Sequence, residues 1–251
     1  MFSGGISSFE AARRCIGKHG RNAVELWFAD TKTEDDDLYR FLDDCEKFLG
    51  VKVERFAEGR NVWQVFTDKR MLGNTQFDPC SRILKRELLR KVLRERYPDP
   101  ASSIIILGLD WTEPQRVERN TAAFKPYRTS FPLLEIPLLL KSDLVEFVRS
   151  LGIRPPRLTE MGFPHNNCGG FCIKAGHAQF AHLLRSMPER YAYHEAKEAE
   201  WQQVTGLKYT VLSDRHGGKR TPLSLVEFRH RIQVGMFDET DWGGCGCFTE
   251  P

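Results

Sequence analysis

The sequence lacks any apolar run approaching the roughly 20 residues that a bilayer-spanning helix needs, and Met1 leads at once into a glycine turn rather than a secretory apolar stretch. No membrane partner is expected, and the reading is of a cytoplasmic chain. It also lacks a dominant charge: 37 basic against 34 acidic residues leave +3. Whole-molecule electrostatics therefore do not demand nucleic acid, although a local basic surface is compatible with it. Internal repeats and low-complexity tracts are missing, which excludes repeat architectures. Cysteine is not scarce, but its count is odd. Seven thiols in a reducing compartment argue against a disulfide scaffold and leave at least one free, so metal or redox chemistry becomes the question.

What is present is a chain of 251 residues, 41% of them hydrophobic, enough for one large domain with an appendage. Ser7 to Lys18 reads as a helix and Ala23 to Phe28 as a buried strand. A helix over Glu34 to Leu49 follows, then a strand over Val51 to Phe56. Arg60 to Leu72 and Ser81 to Tyr97 read as helices, and Ser103 to Gly108 as an apolar strand. This alternation predicts an α/β fold: a Rossmann-like, mostly parallel sheet with helices on both faces and ligands at the carboxyl ends of its strands. The predicted division is a nucleotide-binding α/β domain over 1–154 and a C-terminal region over 155–251. Past Pro155-Pro156, that region is rich in cysteine, glycine and helix, with helices at Ala175 to Arg185 and Glu189 to Val204.

Ser3-Gly4-Gly5, followed by Ser7-Ser8 and a helix, puts small residues and backbone amides at a helix N-terminus, where dipole and N–H groups favour a phosphate. The same pattern also suits an ordinary tight turn. Asp30 closes a predicted strand and reads equally as a ligand contact or a turn aspartate. Arg116 either forks onto an oxyanion or pairs with Glu113 or Glu118. Cys80 opens a helix, where a thiol tends toward thiolate. On that helix Ile83, Leu84, Leu88 and Val92 face inward, with the bases, Lys85 and Arg86 among them, mostly solvated. Cys15 and Cys45 fall inside helices and read as buried small apolar residues. Cys168-Gly169-Gly170-Phe171-Cys172 and Cys245-Gly246-Cys247 form two close thiol pairs, four ligands suited to zinc or an iron–sulfur cluster, though without the spacing of a zinc ribbon. His165 and His177 read as hydrogen-bonding residues rather than ligands.

Ser3-Gly4-Gly5-Ile6-Ser7-Ser8 resembles the SGGxDS motif of the PP-loop ATP pyrophosphatase (adenine nucleotide α-hydrolase) superfamily, with Ser7 where the fuller motif has Asp. Cys80-Ser81-Arg82-Ile83-Leu84-Lys85, Gly108 to Arg116 and the stretch from Gly162 to Lys174 are similar to elements of its phosphoadenosine-phosphosulfate (PAPS) reductase-like branch, including members met in phage and mobile elements. The resemblance implies ATP or a related adenine nucleotide held by Ser3, Gly4, Gly5, Ser7, Ser8, Asp30 and Gly108, with Ser8, Lys85 and Arg116 catalytic and Mg²⁺ bridging phosphates. It further implies a [4Fe–4S] cluster or Zn²⁺ on Cys168, Cys172, Cys245 and Cys247, with Cys80 a further ligand or a sulfur carrier. Family members run an apolar strand into the glycine loop. Here only Met1 and Phe2 precede Ser3, so either the natural start lies upstream or the central strand is made by other means. The leading expectation is a transferase that adenylates an acceptor, nucleic acid among the choices, and releases pyrophosphate. The alternatives are a sulfonucleotide reductase and a nucleotide-binding subunit without turnover; a homodimer is compatible with each.

Overall fold

Helix α1 (Ile6–His19) starts directly after Gly5 and packs Ile6, Phe9 and Ala12 inward. It is followed by β1 (Leu26–Asp30), buried at every position, α2 (Asp36–Leu49) and β2 (Val53–Ala57). The computed structural model describes residues 1–74, 77–216, 219–236 and 241–243. In α2 the buried Leu38, Phe41, Leu42, Cys45 and Leu49 recur at helical spacing and form the inward stripe; Asp35 caps the start by accepting from Asp37 N–H at 3.0 Å. β1 and β2 pair in parallel, Leu26 opposite Val53 through Asp30 opposite Ala57. α3 (Val62–Lys69) follows.

The next helical stretch is not uniform. A short α4 (Pro79–Ser81) leads into a π-helical stretch (Arg82–Glu87), which continues as α5 (Leu88–Arg96). Wide π turns are uncommon and recur at functional sites; this one holds Lys85 and Arg86, both buried rather than solvated. Then come β3 (Ile104–Ile106), α6 (Pro114–Ala123), β4 (Arg128–Ser130) and α7 (Lys141–Ser150), with β3 and β4 also parallel.

Met1 and Phe2 lie between the two strand pairs. Phe2 N–H donates to Trp27 O at 2.7 Å, and the Met1 ammonium donates to Ile106 O at 2.9 Å. A dipeptide thus bridges the place where a strand was expected. Beneath it a cavity of about 350 Å³ opens between Val24–Trp27 and Ser102–Ile106. Burial pulls the Met1 ammonium down to about 6.

The C-terminal region is helical with one hairpin: α8 (Arg157–Glu160), α9 (His177–Ser186), α10 (Pro188–Thr205), antiparallel β5 (Leu212–His216) and β6 (Lys219–Leu223), and α11 (Leu225–Gln233). Its core also takes in Val62, Trp63, Phe66, Ile83 and Leu84 from α3 and the helix after it, so the two regions share apolar packing. Buried Glu198 on α10 accepts from Val211 N–H and Leu225 N–H, both at 2.7 Å, tying the hairpin and α11 to the bundle. The fold is therefore mixed α/β, with short parallel pairs flanked by helices. No helix among the described residues is long and apolar enough to cross a membrane.

Candidate functional site

A cleft of about 550 Å³ opens where β1 and β3 end and α1 begins. Open α/β folds place ligands at such a position, because strand carboxyl ends and helix N-termini leave backbone groups without partners in their own element. Close packing shapes its floor. Gly4 has φ of +73°, and a Cβ there would stand 2.7 Å from Leu38 Cδ1 on α2. At Gly108 a Cβ would meet Ser7 O and Ser8 Cα, each at 2.9 Å. The chain leaving β3 therefore runs against the first turn of α1 with no room for a side chain. Ser8 completes the turn: its hydroxyl accepts from Gly5 N–H at 3.2 Å and donates to Gly5 O at 2.7 Å.

Ser3, Gly5, Ser7, Ser8, Lys85, Gly108 and Arg116 all line this cleft. Gly4 lies behind the wall, packed on α2. Asp30 does not line the cleft; its carboxylate accepts from Lys32 N–H (2.8 Å) and Tyr39 OH (2.9 Å) and ion-pairs with the Lys32 ammonium (3.3 Å). Burial and the Asp30 carboxylate push the Tyr39 phenol up. Arg86 turns away into a buried two-point pair with Asp78, at 3.0 and 3.2 Å. Arg116 pairs with Glu113 at the cleft rim.

Lys85 is 6% exposed and lines both this cleft and a smaller cavity of about 20 Å³. Cys80, Cys168, Cys172 and Asp78 line that smaller cavity, and all three thiols are buried. Lys85 Nζ stands 3.4 Å from Glu34 Oε1 and 3.4 Å from Asn167 Oδ1. Buried Glu34 also accepts from Thr31 Oγ1 (2.9 Å) and from Cys168 N–H (2.7 Å). One carboxylate thereby joins the loop after β1, the π-helical lysine and the cysteine loop.

That loop has an uncommon backbone. Cys168, Gly169 and Gly170 all have positive φ, and for a cysteine this is a strained conformation that its surroundings must hold. Glu34 holds it by accepting from Cys168 N–H, and Gln179 by donating to Gly170 O at 2.8 Å. Phe171 stacks on the buried His194 ring, with centroids 3.6 Å apart. Burial drives His194 well below the usual imidazole range, and its neutral Nδ1 accepts from Trp63 Nε1–H at 3.0 Å. Arg190 passes over Gly169 and donates to Thr33 O at 2.6 Å. Nearby, Arg157 pairs with Asp35 and Arg154 with Asp37, both at 2.6 Å, so the acidic run after β1 fastens the C-terminal region.

Cys245 and Cys247 lie outside the described residues. The segment just before them does not: Gly243 bridges to Ala175, and Trp242 lines the large cleft. Among the described residues, no group of three or more His, Cys, Asp or Glu side chains is arranged to hold a metal ion. The sequence reading missed Glu34 as a joint and Lys141, His165, Asn166, Asn167 and Trp242 as cleft lining. A usable signal was the polar run Pro164-His165-Asn166-Asn167, which fits neither helix nor strand and leads straight into the glycine-loosened cysteines.

No family model matches the chain. Over 173 residues it is 25% identical to an uncharacterized protein of Methanocaldococcus jannaschii, a stretch covering 66% of this chain and 34% of that protein. The chain thus spans about a third of the length of the curated relative it matches.

Proposed function

We propose that the chain is an adenine-nucleotide-binding protein of the PP-loop type, in the PAPS reductase-like branch, and that it cleaves ATP between the α and β phosphates. An acceptor oxygen attacks the α phosphorus, the α–β bridging bond breaks, and pyrophosphate leaves with the electron pair. The observation that carries this reading is the cleft itself, in which the start of α1, the close Gly108 contact, Lys85 and Arg116 line one space. A helix N-terminus with adjacent cations stabilises phosphate charge electrostatically. The Rossmann-like reading of the sheet draws on the order β2, β1, Met1–Phe2, β3, β4 that the hydrogen bonds trace. Mg²⁺ would enter with the nucleotide and supply positive charge against the charge that develops on the leaving pyrophosphate.

For a metal centre, Cys168 and Cys172 are a suitable half: two buried thiols on one glycine-loosened loop, with Cys80 lining the same small cavity. Cys245 and Cys247, the other half of the four-thiol set read from the sequence, lie outside the described residues. Zinc would serve to hold the terminal segment, an iron–sulfur cluster to handle sulfur. Anaerobic purification with iron, sulfide and zinc analysis tests this; a metal-free protein contradicts it.

A second reading, reduction of a sulfonucleotide, is favoured by one feature: Lys85 lines both the cleft and the thiol-lined cavity. The test of the leading reading is pyrophosphate release from ATP across candidate acceptors, RNA and DNA included. Sulfite release from an adenosine phosphosulfate, with no pyrophosphate from ATP, favours the second.

A further inference from the structure

The positive charge of the chain is not spread evenly. Between Lys208 and Arg231 the sequence carries six lysines and arginines against two acidic residues, whereas the whole chain reaches only +3. The hairpin of β5 and β6 lies in this stretch. Its root is fixed: Leu212 and Leu223 stand opposite each other and are buried, and the Thr210 hydroxyl donates to Leu212 O at 2.7 Å and accepts from Leu223 N–H at 3.0 Å. Both acidic residues of the stretch, Asp214 and Glu227, pair with one α11 side chain, Arg231. Beyond that root the run Arg215-His216-Gly217-Gly218-Lys219-Arg220 holds four basic residues and no acid. The register puts Arg215 opposite Arg220 and His216 opposite Lys219. Like charges directly opposite, as at positions 215 and 220, weaken an antiparallel pair, and an anion beside them removes that penalty.

We propose that this hairpin is a docking element for duplex DNA, entering the major groove with a row of phosphates on either side. A two-stranded β-ribbon fits that groove, which is about 12 Å wide. Alternation along the strands gives positions 215 and 220 one face of the ribbon and 216 and 219 the other, so basic positions stand on both faces. A lipid surface or a flat acidic protein meets one face of a ribbon; a groove walls both with phosphate. Pro222 leaves the outer edge of β6 one N–H short, which disfavours pairing with a further strand. At the root Lys208 and Tyr209 are exposed, Tyr209 at 61%, on backbone that Gln202 holds by donating to Tyr209 O at 2.9 Å. A lysine and a phenol hydroxyl are both donors to phosphate. Docking of this kind is independent of what the nucleotide cleft does.

The test is fluorescence anisotropy of a labelled, mixed-sequence DNA duplex titrated with the whole protein at several salt concentrations. With about four phosphates neutralised, affinity is expected to fall roughly 100-fold between about 50 and 200 mM salt. Arg215→Gln/Lys219→Gln/Arg220→Gln is expected to weaken binding more than about tenfold at the lower salt, and the slope of log affinity against log salt is expected to lose about three units while circular dichroism stays native. Arg220→Gln alone, at an exposed position, is expected to remove about one unit of slope. Arg82→Gln/Lys91→Gln/Arg94→Gln takes the same charge from exposed positions on the helix after Cys80 and is expected to leave affinity within about twofold, which separates the hairpin from overall charge. Duplex RNA of the same length, whose deep and narrow major groove admits no ribbon, is expected to bind more weakly. Absence of DNA binding at the lower salt, equal affinity for the RNA duplex, an unaltered slope in the natively folded hairpin variants, or an equal loss in the variant of the other helix overturns the proposal.

Discussion

The Ser3–Ser8 turn and the Cys168–Cys172 loop both hold backbone in conformations that favour glycine, and they differ in how far away their polar ties come from. The first is set by contact. Gly4 leaves room for Leu38, and Gly108 lets the chain after β3 lie on the backbone of Ser7 and Ser8, so that packing holds the turn that the Ser8 hydroxyl closes locally onto Gly5. The second is set by polar ties from distant segments: Glu34 to Cys168 N–H, Gln179 to Gly170 O, and Arg190 reaching across Gly169 to Thr33. A turn closed against backbone tolerates no added atom; the cysteine loop, where a Cβ at Gly170 would stand 2.9 Å from the Phe163 ring, is close-packed as well and in addition loses its hold when a hydrogen-bond partner is removed.

The largest expected effect falls on the packed turn. In Gly108→Val the added atoms meet backbone that cannot yield. Nucleotide affinity is expected to drop more than about 100-fold, with a loss of about 1–3 kcal/mol in denaturant unfolding. Calorimetry and urea titration measure the two; normal binding in this variant would mean that the cleft floor is elsewhere. On the tied loop, Glu34→Gln removes the charge facing Lys85. A loss of about 2–3 kcal/mol is expected, together with faster amide exchange at Cys168, which an undisturbed exchange rate would contradict.

The smallest effect is at the acidic fastening. Arg154→Ala removes an exposed partner of Asp37 and is expected to cost less than about 1 kcal/mol.

What the sequence made legible follows the same division. α1, α2 and α9 were readable because their apolar residues repeat at helical spacing, α10 because Pro188 opens it and Gly206 closes it, and β1, β2 and β3 because β-branched and aromatic residues run together. The glycine turn was readable because its signal is local, two glycines before a helix, although the packing that holds it comes from Leu38 and Gly108. The hairpin of β5 and β6 was not, because each strand offers one buried leucine, Leu212 and Leu223, and pairing the two is a long-range event. Glu34 read as the acidic start of a helix, since nothing near it in sequence announces Lys85 or Cys168. The burial of Lys85 and Arg86 was equally hidden, for amphipathic spacing assumes a regular helix and a π-helical stretch shifts which side chains face inward. His165 reads from the sequence as a hydrogen-bonding residue, and its place on the cleft wall is visible only in three dimensions.

The central claim is that the space between the start of α1 and Gly108 receives an adenine nucleotide. Its most direct test is calorimetric titration of the whole protein with ATP, with Gly108→Val as the control of site. The account predicts one ATP per chain, bound in the wild type and lost in the variant while the circular dichroism of both stays native. A natively folded wild type that takes up no ATP, ADP or adenosine phosphosulfate, or a variant that binds as well as the wild type, would contradict it.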